Sequence, residues 1–315
     1  MNQKYSGKDL CVLVPTKDRP KRIAKLLQSL ADQNEKVGRI IIVASGTDIQ
    51  EAIDEFSDVL SIDYYFTQIT GQINQRNLGL SKIDLRSSLI ACIDDDIEFE
   101  KEAIFEVIEF WNTAPAETAG VGLNIINGLP ERASNWFSQR LFLSHPAPGR
   151  VLKSGITTPI SHAKSSFQSQ WLNGGATTWR REVLLDNIHP GIVCKWSIAE
   201  DLIFSYPISK CYKLFVCAEA RVEHHHENHP RNIQWVFLHG KVQTVWQYYF
   251  MLQNKELSKV LFFFTLFIRI AVKLIRGIIK FDRKSIFFVF GCFGGISEII
   301  LYSLGLTKSK DIREG

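Results

Sequence analysis

From Leu10 the chain alternates between two hydrophobic periods. "LCVLVPT" (Leu10–Thr16) is a short apolar run broken by Pro15. In "PKRIAKLLQSLADQ" the apolar positions Ile23, Leu26, Leu27 and Leu30 fall at i, i+3, i+4 and i+7, one helical face, and Pro20 suits the first turn. The β-branched "RIIIVASG" (Arg39–Gly46) predicts a second strand. A weaker helix at about residues 48–56 and a strand "SIDYYF" (Ser61–Phe66) follow. Helix "GQINQRNLGLSKI" (Gly71–Ile83), apolar run Leu89–Ile93, helix "KEAIFEVIEFW" (Lys101–Trp111) and strand "AGVGLNII" (Ala119–Ile126) complete the series. Alternating apolar strands and helices predict an α/β fold, a mostly parallel sheet with helices on both faces. Ligands of such sheets bind outside the carboxyl ends of the strands. Residues 127–170 are irregular and polar, a loop length that is often functional or mobile.

A second pattern occupies the carboxyl end. "LSKVLFFFTLFIRIAVKLIRGIIKF" (Leu257–Phe281) is intensely apolar, and its cations Arg269, Lys273, Arg276 and Lys280 step by 4, 3 and 4 along one helical stripe. Such a helix suits a membrane interface with anionic headgroups; the alternative is a helix packed on the rest of the protein with its basic side in water. Four charges weigh against a span, each costing roughly 2.5–3.5 kcal/mol at a helix centre. "IFFVFGCFGGISEIILYSLG" (Ile286–Gly305) is near spanning length but contains Glu298 and four glycines, so a re-entrant or surface-lying segment is expected. Trp235, Trp246, Tyr248 and Tyr249 upstream are candidates for headgroup level. The expected organisation is a catalytic domain over residues 1–235 and a membrane-associating helical region over 236–315.

Composition narrows the class. The chain has 315 residues, 45% hydrophobic and 22% charged, ample for a packed core. A net charge of +4 gives no reason to expect a nucleic-acid partner. The six cysteines include no C-x-x-C pair, so neither a zinc framework nor a disulfide scaffold is suggested, and reduced cysteines in the cytoplasm are expected. "MNQKYSGKDL" has no apolar h-region, so no secretory signal is expected.

The apolar run Leu89–Ile93 ends in Asp94, Asp95 and Asp96. Three like charges repel, and each resists desolvation. A solvated turn tolerates them; a divalent cation converts the repulsion into coordination. Two carboxylates spaced D-x-D suit Mg²⁺ or Mn²⁺ and leave coordination positions for substrate phosphates. A phospho-aspartate phosphatase also uses D-x-D, but Ile97 stands where that class needs Thr or Val. Downstream, Glu200–Asp201 offers either a general base or ordinary charges at a helix N-terminus.

The ordered series "VLVPTKDRP…LLQSLADQ", "INQRNLGL…IACIDDDIEF", "WLNGGATTWRREVLLDNI", "AEDLIFSYPISKCYKLF" and "ARVEHH" resembles family 2 glycosyltransferases of the GT-A fold over residues 10–226. The resemblance implies a Rossmann-like α/β domain that uses a nucleotide sugar. It implies that Asp94 and Asp96 hold the metal and through it the donor diphosphate, and that His224 can approach that metal. It places Thr16 and Arg19 in the first nucleotide-binding loop, Arg76 and Asn77 beside the nucleotide, and Gly174 and Gly175 beside the donor sugar. Asp201 corresponds to the base of inverting members, with adjacent Glu200 as an orienting carboxylate. One departure concerns the base: the family's second strand usually ends in an aspartate, but here Ala44 and Ser45 stand there, with Asp48 further on. Trp171, Trp179 and Trp196 are candidates either for stacking on sugar rings or for the core.

These features lead to the expectation of an inverting, Mn²⁺- or Mg²⁺-dependent glycosyltransferase. Its donor would be a UDP-sugar first, with dTDP and GDP sugars as alternatives, and its acceptor a glycan or lipid-linked chain. It would lie peripherally on the inner face of the cell membrane. The competing readings are a non-catalytic membrane-attached scaffold and a sugar-phosphate nucleotidylyltransferase; "VPTKDRPKR" lacks the Gly-rich loop of the latter.

Overall fold

The computed structural model describes residues 4–128, 136–188, 199–226 and 232–306. In chain order the strands are β1 (Leu10–Lys17), β2 (Arg39–Ser45), β3 (Ile62–Phe66), β4 (Leu89–Ile93), β5 (Ile97–Phe99), β6 (Thr118–Ile125), β7 (Phe167–Ser169), β8 (Ala176–Arg180) and β9 (Lys213–His224). The helices are α1 (Pro20–Ala31), α2 (Gln50–Asp54), α3 (Gln72–Leu80), α4 (Ala103–Thr113), α5 (Trp136–Arg140), α6 (Arg181–Asp186), α7 (Glu200–Ile208), α8 (Ile233–Gln253), α9 (Lys259–Ile279) and α10 (Arg283–Ser303). The chain divides into two units. The first comprises residues 1–132, 159–191 and 204–226; the second comprises 133–158, 192–203 and 227–315.

The first unit holds the sheet. Among the described residues nine strands form one sheet in the order β3-β2-β1-β4-β8-β6-β9-β5, with β7 also on β9. β3, β2, β1 and β4 run parallel, so their carboxyl ends share one edge. The apolar strands are buried on both faces, as their continuous runs predicted. Leu10, Val12 and Val14 pack with Ile23, Leu26, Leu27 and Leu30 of α1, whereas Cys11 and Leu13 pack with Leu80 of α3 and Trp179. Gly79 brings α3 close to β1, because a Cβ there would overlap Leu13.

β8 is antiparallel to both β4 and β6, an insertion that the sequence pattern did not signal. Its sequence, "ATTWR", is short and polar. Its hydroxyls are satisfied internally: Trp111 Nε1 donates to Thr178 Oγ1 at 2.8 Å, and Trp179 Nε1 donates to Thr177 Oγ1 at 2.9 Å. Trp179 is therefore a core residue, packed edge-on against Phe204, and not a platform for a sugar. Trp171 is partly buried against the same core, and Trp196 lies outside the described residues. Among the described cysteines all five are free, and Cys211 alone of them is exposed.

The second unit contains α8, α9 and α10, each opened by a side-chain cap, from Asn232, Ser258 and Asp282 respectively. Glycines let α8 and α10 touch through their backbones: Gly240 faces the Phe288 carbonyl, Gly291 the Phe237 carbonyl and Gly295 the Lys241 carbonyl. Glu298 pairs with Lys241 at 2.6 Å. Trp246 and Tyr248 are buried, which corrects the expectation that they sit at headgroup level. The basic stripe of α9 also divides. Arg269 donates to Gln247 Oε1 at 3.3 Å, and the Lys273 ammonium lies 3.9 Å from the centre of the Phe288 ring. Arg276 and Lys280 are exposed. Apolar residues fill much of the remaining outer surface, including Val260, Phe264, Phe267, Ile275, Ile279 and Phe281, the last 91% exposed. α10 is long and apolar enough to cross a membrane.

Candidate active site

β4 ends at Ile93, and the three aspartates that follow enter three different environments. Asp95 and Asp96 are buried, at 5% and 8% exposure, so this is not a solvated turn. Asp95 serves the fold. Its carboxylate accepts from Thr16 Oγ1 at 2.6 Å and from Arg19 at 2.9 Å, which ties the end of β1 to the end of β4. Burial raises its pKa, and the Thr16 hydrogen bond and the Arg19 charge offset only part of that. Thr16 and Arg19, expected in the first nucleotide-binding loop, thus commit these groups to Asp95.

Asp94 points elsewhere. Its N–H donates to the Gly175 carbonyl at 2.8 Å, and its Oδ1 accepts from Gln72 and, at 3.3 Å, from Arg76. Gly175 lacks a side chain for a physical reason: a Cβ there would overlap the Asp94 carboxylate. Gly174 sits in the turn just before, and Asn77 follows Arg76 on α3, half-buried.

Asp96 meets β9. Residues Ile97 and His224 pair in the β5–β9 ladder, and the His225 N–H donates to the Asp96 carbonyl at 2.8 Å. This register sets His224 Nε2 2.9 Å from Asp96 Oδ1. Burial pushes the Asp96 carboxyl up, but the His224 hydrogen bond and the nearby charges of His224, His226 and Arg19 outweigh it and hold the pKa below the usual value. The His226 ring lies against that of His224, tilted by 43° with ring centres 3.7 Å apart, and burial followed by the His224 charge lowers its pKa. Asp96, His224 and His226 each offer a ligand atom within 4.8 Å of the others. Such a mixed carboxylate and imidazole set fits a divalent cation.

These groups line a cavity of about 390 Å³, wholly within the first unit, with Pro15, Lys17, Gly71 and Gln72 on its walls. Thus Asp94, Asp96, Arg19, Thr16 and His224 come together at the carboxyl ends of β1 and β4. Glu200 and Asp201 open α7 in the second unit, preceded by Ala199 at φ +67°; Asp201 Oδ1 accepts from the Leu202 N–H at 2.8 Å. Asp48, the late substitute for the missing base-reading aspartate, accepts from the Tyr64 hydroxyl at 2.7 Å and caps the Gln50 N–H.

Four residues of the site escaped the sequence reading. Asp95 was hidden between its neighbours, although its place beside an arginine-bearing loop is structural. Gln72 opens α3 and reaches Asp94. Gln75 donates from inside α3 to the Thr16 carbonyl at 2.6 Å and the Val43 carbonyl at 2.8 Å, joining the ends of β1 and β2. Its signal was a polar residue between the apolar positions Ile73 and Leu80. His226 lies two residues past His224, just beyond the end of β9; in sequence the run "HHHENH" reads either as an adventitious metal site or as a solvated loop, and only His224 matches the family pattern.

No curated protein matches the chain. Among solved structures, a fragment of S. aureus TarS (residues 1–349) is 19% identical, with 75% of this chain covering 65% of that one at a TM-score of 0.47. Against the longer TarS structure the chain spans 40% of the length. The mannosyltransferase PcManGT from Pyrobaculum calidifontis is 13% identical, covers 96% of this chain and 82% of its own, and gives a TM-score of 0.55. GalNAc-T7 is 16% identical, covers 72% and 47% respectively, and gives 0.54. The last two share the GT-A fold with this chain. The family model described as glycosyl transferase family 2 matches residues 11–169, from the start of β1 through the aspartate cluster to β7. With about half its length matched in this way, and with the acidic cavity at the carboxyl ends of β1 and β4, the chain belongs to glycosyl transferase family 2.

Proposed function

We propose that the protein transfers a sugar from a nucleotide-sugar donor to a lipid-linked or growing surface-glycan acceptor, using a divalent cation and inverting the anomeric carbon. The observation that carries this reading is the cavity lined by Asp94, Asp96, His224 and His226 at the strand ends of a family 2 chain. The two solved relatives with the shared fold lend support: one was solved with GDP-Man and Mn²⁺, the other with UDP, GalNAc and Mn²⁺.

Each residue then has a task. Asp96 and His224 would hold the cation, with Asp94 beside it. When bound, a divalent ion acts as a Lewis acid on the departing diphosphate. Arg76, paired with Asp94, adds positive charge beside the phosphates. Thr16 and Arg19 act at one remove, because their bonds to Asp95 hold the two loops of the cavity together. Gly175 leaves room for the Asp94 carboxylate, and Gly174 and Gly175 stand beside the donor sugar in this scheme. An acceptor hydroxyl has a pKa far above neutral, so its attack needs a positioned carboxylate; Asp201 is the base in this scheme, and Glu200 orients. A direct displacement with a single base inverts the anomeric carbon.

The acceptor and location rest on the second unit. Its apolar outer residues on α9 and α10 lie beside exposed Arg276, Lys280, Arg283 and Lys284 at the turn between the helices. This pairing suits a peripheral seat on an anionic membrane face, where a lipid-linked acceptor is at hand. The test is a panel of UDP-, dTDP- and GDP-sugars offered to the protein with and without Mn²⁺, following nucleotide release. Metal-dependent release from one donor, with an inverted product by NMR of the anomeric proton, is the expected result. Absence of turnover and of donor binding across the panel would defeat the proposal and favour a non-catalytic scaffold.

A further inference from the structure

We propose that His226 is a third protein ligand of the cation, alongside Asp96 and His224, and that this one-carboxylate, two-imidazole set selects a transition-series divalent ion over Mg²⁺. The inference rests on the metal-dependent reading above and specifies the site that reading invokes.

The strand register builds the trio. The β5–β9 ladder pairs Ile97 with His224, and the His225 N–H to Asp96 carbonyl bond of 2.8 Å closes the end of that ladder. Asp96 therefore cannot drift from the histidines. His225 Nε2 lies 3.1 Å from Glu223 and 3.5 Å from Glu98. His224 and His226 share the cavity side, both among its lining residues. Two ligands at right angles on one ion, each bonded at about 2.1 Å, stand about 3.0 Å apart, and opposite ligands about 4.2 Å. The 2.9 Å between His224 Nε2 and Asp96 Oδ1 fits the first spacing. His226, the exposed member, completes a trio whose ligand atoms all lie within 4.8 Å of one another.

Asp94 lines the same cavity but is not one of the trio, and its Oδ1 is held by Gln72 and Arg76. The D-x-D carboxylates thus divide: Asp96 faces the imidazoles and Asp94 faces the arginine. Mg²⁺ takes oxygen ligands and retains its water, whereas imidazole nitrogen favours later divalent ions and affinity climbs from Mn²⁺ to Co²⁺ and Ni²⁺. Three protein ligands leave the remaining positions for diphosphate oxygens.

The experiment is isothermal titration of the full chain in detergent with Mn²⁺, Co²⁺ or Mg²⁺ alone, comparing wild type, His226→Ala and His225→Ala. Wild type is expected to bind Mn²⁺ at least about tenfold, and Co²⁺ more, tighter than Mg²⁺. His226→Ala should lose at least about tenfold in Mn²⁺ and Co²⁺ affinity and narrow the gap to Mg²⁺, while His225→Ala behaves as wild type. Pulsed EPR of Mn²⁺ on the wild-type protein gives a reading independent of any variant: nitrogen couplings from two imidazoles are expected. Equal Mn²⁺ affinity of wild type and His226→Ala, or a single coupled nitrogen, removes His226 from the shell and leaves the metal-dependent reading standing. Preference for Mg²⁺ overturns the selectivity. Failure of every ion to bind wild type, with or without UDP, overturns the metal-dependent reading as well.

Discussion

Gly175→Ala isolates one contact of the site. Residue 175 precedes β8, which pairs antiparallel with β4 through Ile93 and Ala176, and the Asp94 N–H donates to the Gly175 carbonyl at 2.8 Å. Both backbones adjoin the ends of central strands and are joined by that hydrogen bond, which limits their retreat. A Cβ at 175 would fall on the Asp94 carboxylate. Two responses are open. If the carboxylate stays, the strain is that of overpacking, about 1–3 kcal/mol. If it rotates away, the Arg76 and Gln72 bonds break. A hydrogen bond to a charged group contributes about 1.5–3 kcal/mol, and the lower part of that range applies here because the Asp94 side chain is 23% exposed. The protein follows whichever costs less, so the loss should be about 1.5–2 kcal/mol.

Denaturant unfolding measures that loss, and the same variant in an Asp94→Ala background tests its cause. Without the carboxylate the three closest atoms are gone, and Gly175→Ala should then cost less than about 0.5 kcal/mol, giving a coupling energy of at least about 1 kcal/mol between the two positions. If alanine at 175 costs the same in both backgrounds, the clash is not its cause, and the account of why glycine stands there is refuted.

Other consequences follow from the same geometry. Thr16→Val strips the buried Asp95 of its 2.6 Å donor and should cost about 1–3 kcal/mol in an unfolding titration, whereas Thr16→Ser should restore most of it. Asp201→Asn should lower the transfer rate by about 10²–10⁴ while leaving the donor dissociation constant unchanged; an active variant would remove Asp201 as the base. On anionic vesicles, changing Arg276, Lys280, Arg283 and Lys284 together to Gln should weaken flotation by several kcal/mol, at roughly 1 kcal/mol per cation, and reduce its salt sensitivity. Arg269→Gln and Lys273→Gln should instead alter stability with little change in flotation, because those cations contact Gln247 and Phe288.

Much of the catalytic unit was legible because its physics is local. Apolar runs with no alternation marked strands covered on both faces, and the i, i+3, i+4 pattern of α1 marked its buried side. The D-x-D and the histidine were legible as residue types, but their division was not. Which carboxylate meets Arg76 and which meets His224 depends on the register between β5 and β9 and on the insertion of β8, both set by pairings distant in sequence. The same holds for Asp95. Nothing in "DDD" says that the middle residue is the one locked to Thr16 and Arg19, since that bond spans 79 residues of chain.

The tail shows where periodicity stops informing. Steps of 4, 3 and 4 establish that Arg269, Lys273, Arg276 and Lys280 share a face, and they establish nothing about what that face meets. In this fold its first half turns toward α8 and α10. There the Arg269 guanidinium finds the amide of Gln247, and Lys273 finds an aromatic ring, contacts that offset the cost of taking each cation out of water. Other apolar residues face outward: Phe264, Phe267, Val272, Ile275 and Ile279 on α9, with Phe290, Phe293 and Ile300 on α10. A soluble monomer rarely exposes a contiguous apolar patch of more than a few hundred Å². Both helices bury an apolar face, with Phe262, Leu266 and Ile270 on α9 and Val289, Cys292 and Ile299 on α10, and carry a second apolar face outward. This exposed apolar surface is what supports the membrane seat proposed above. On the seat proposed above, the exposed cations at the α9–α10 turn would meet headgroup charge, whereas Arg269 and Lys273 are engaged by Gln247 and Phe288.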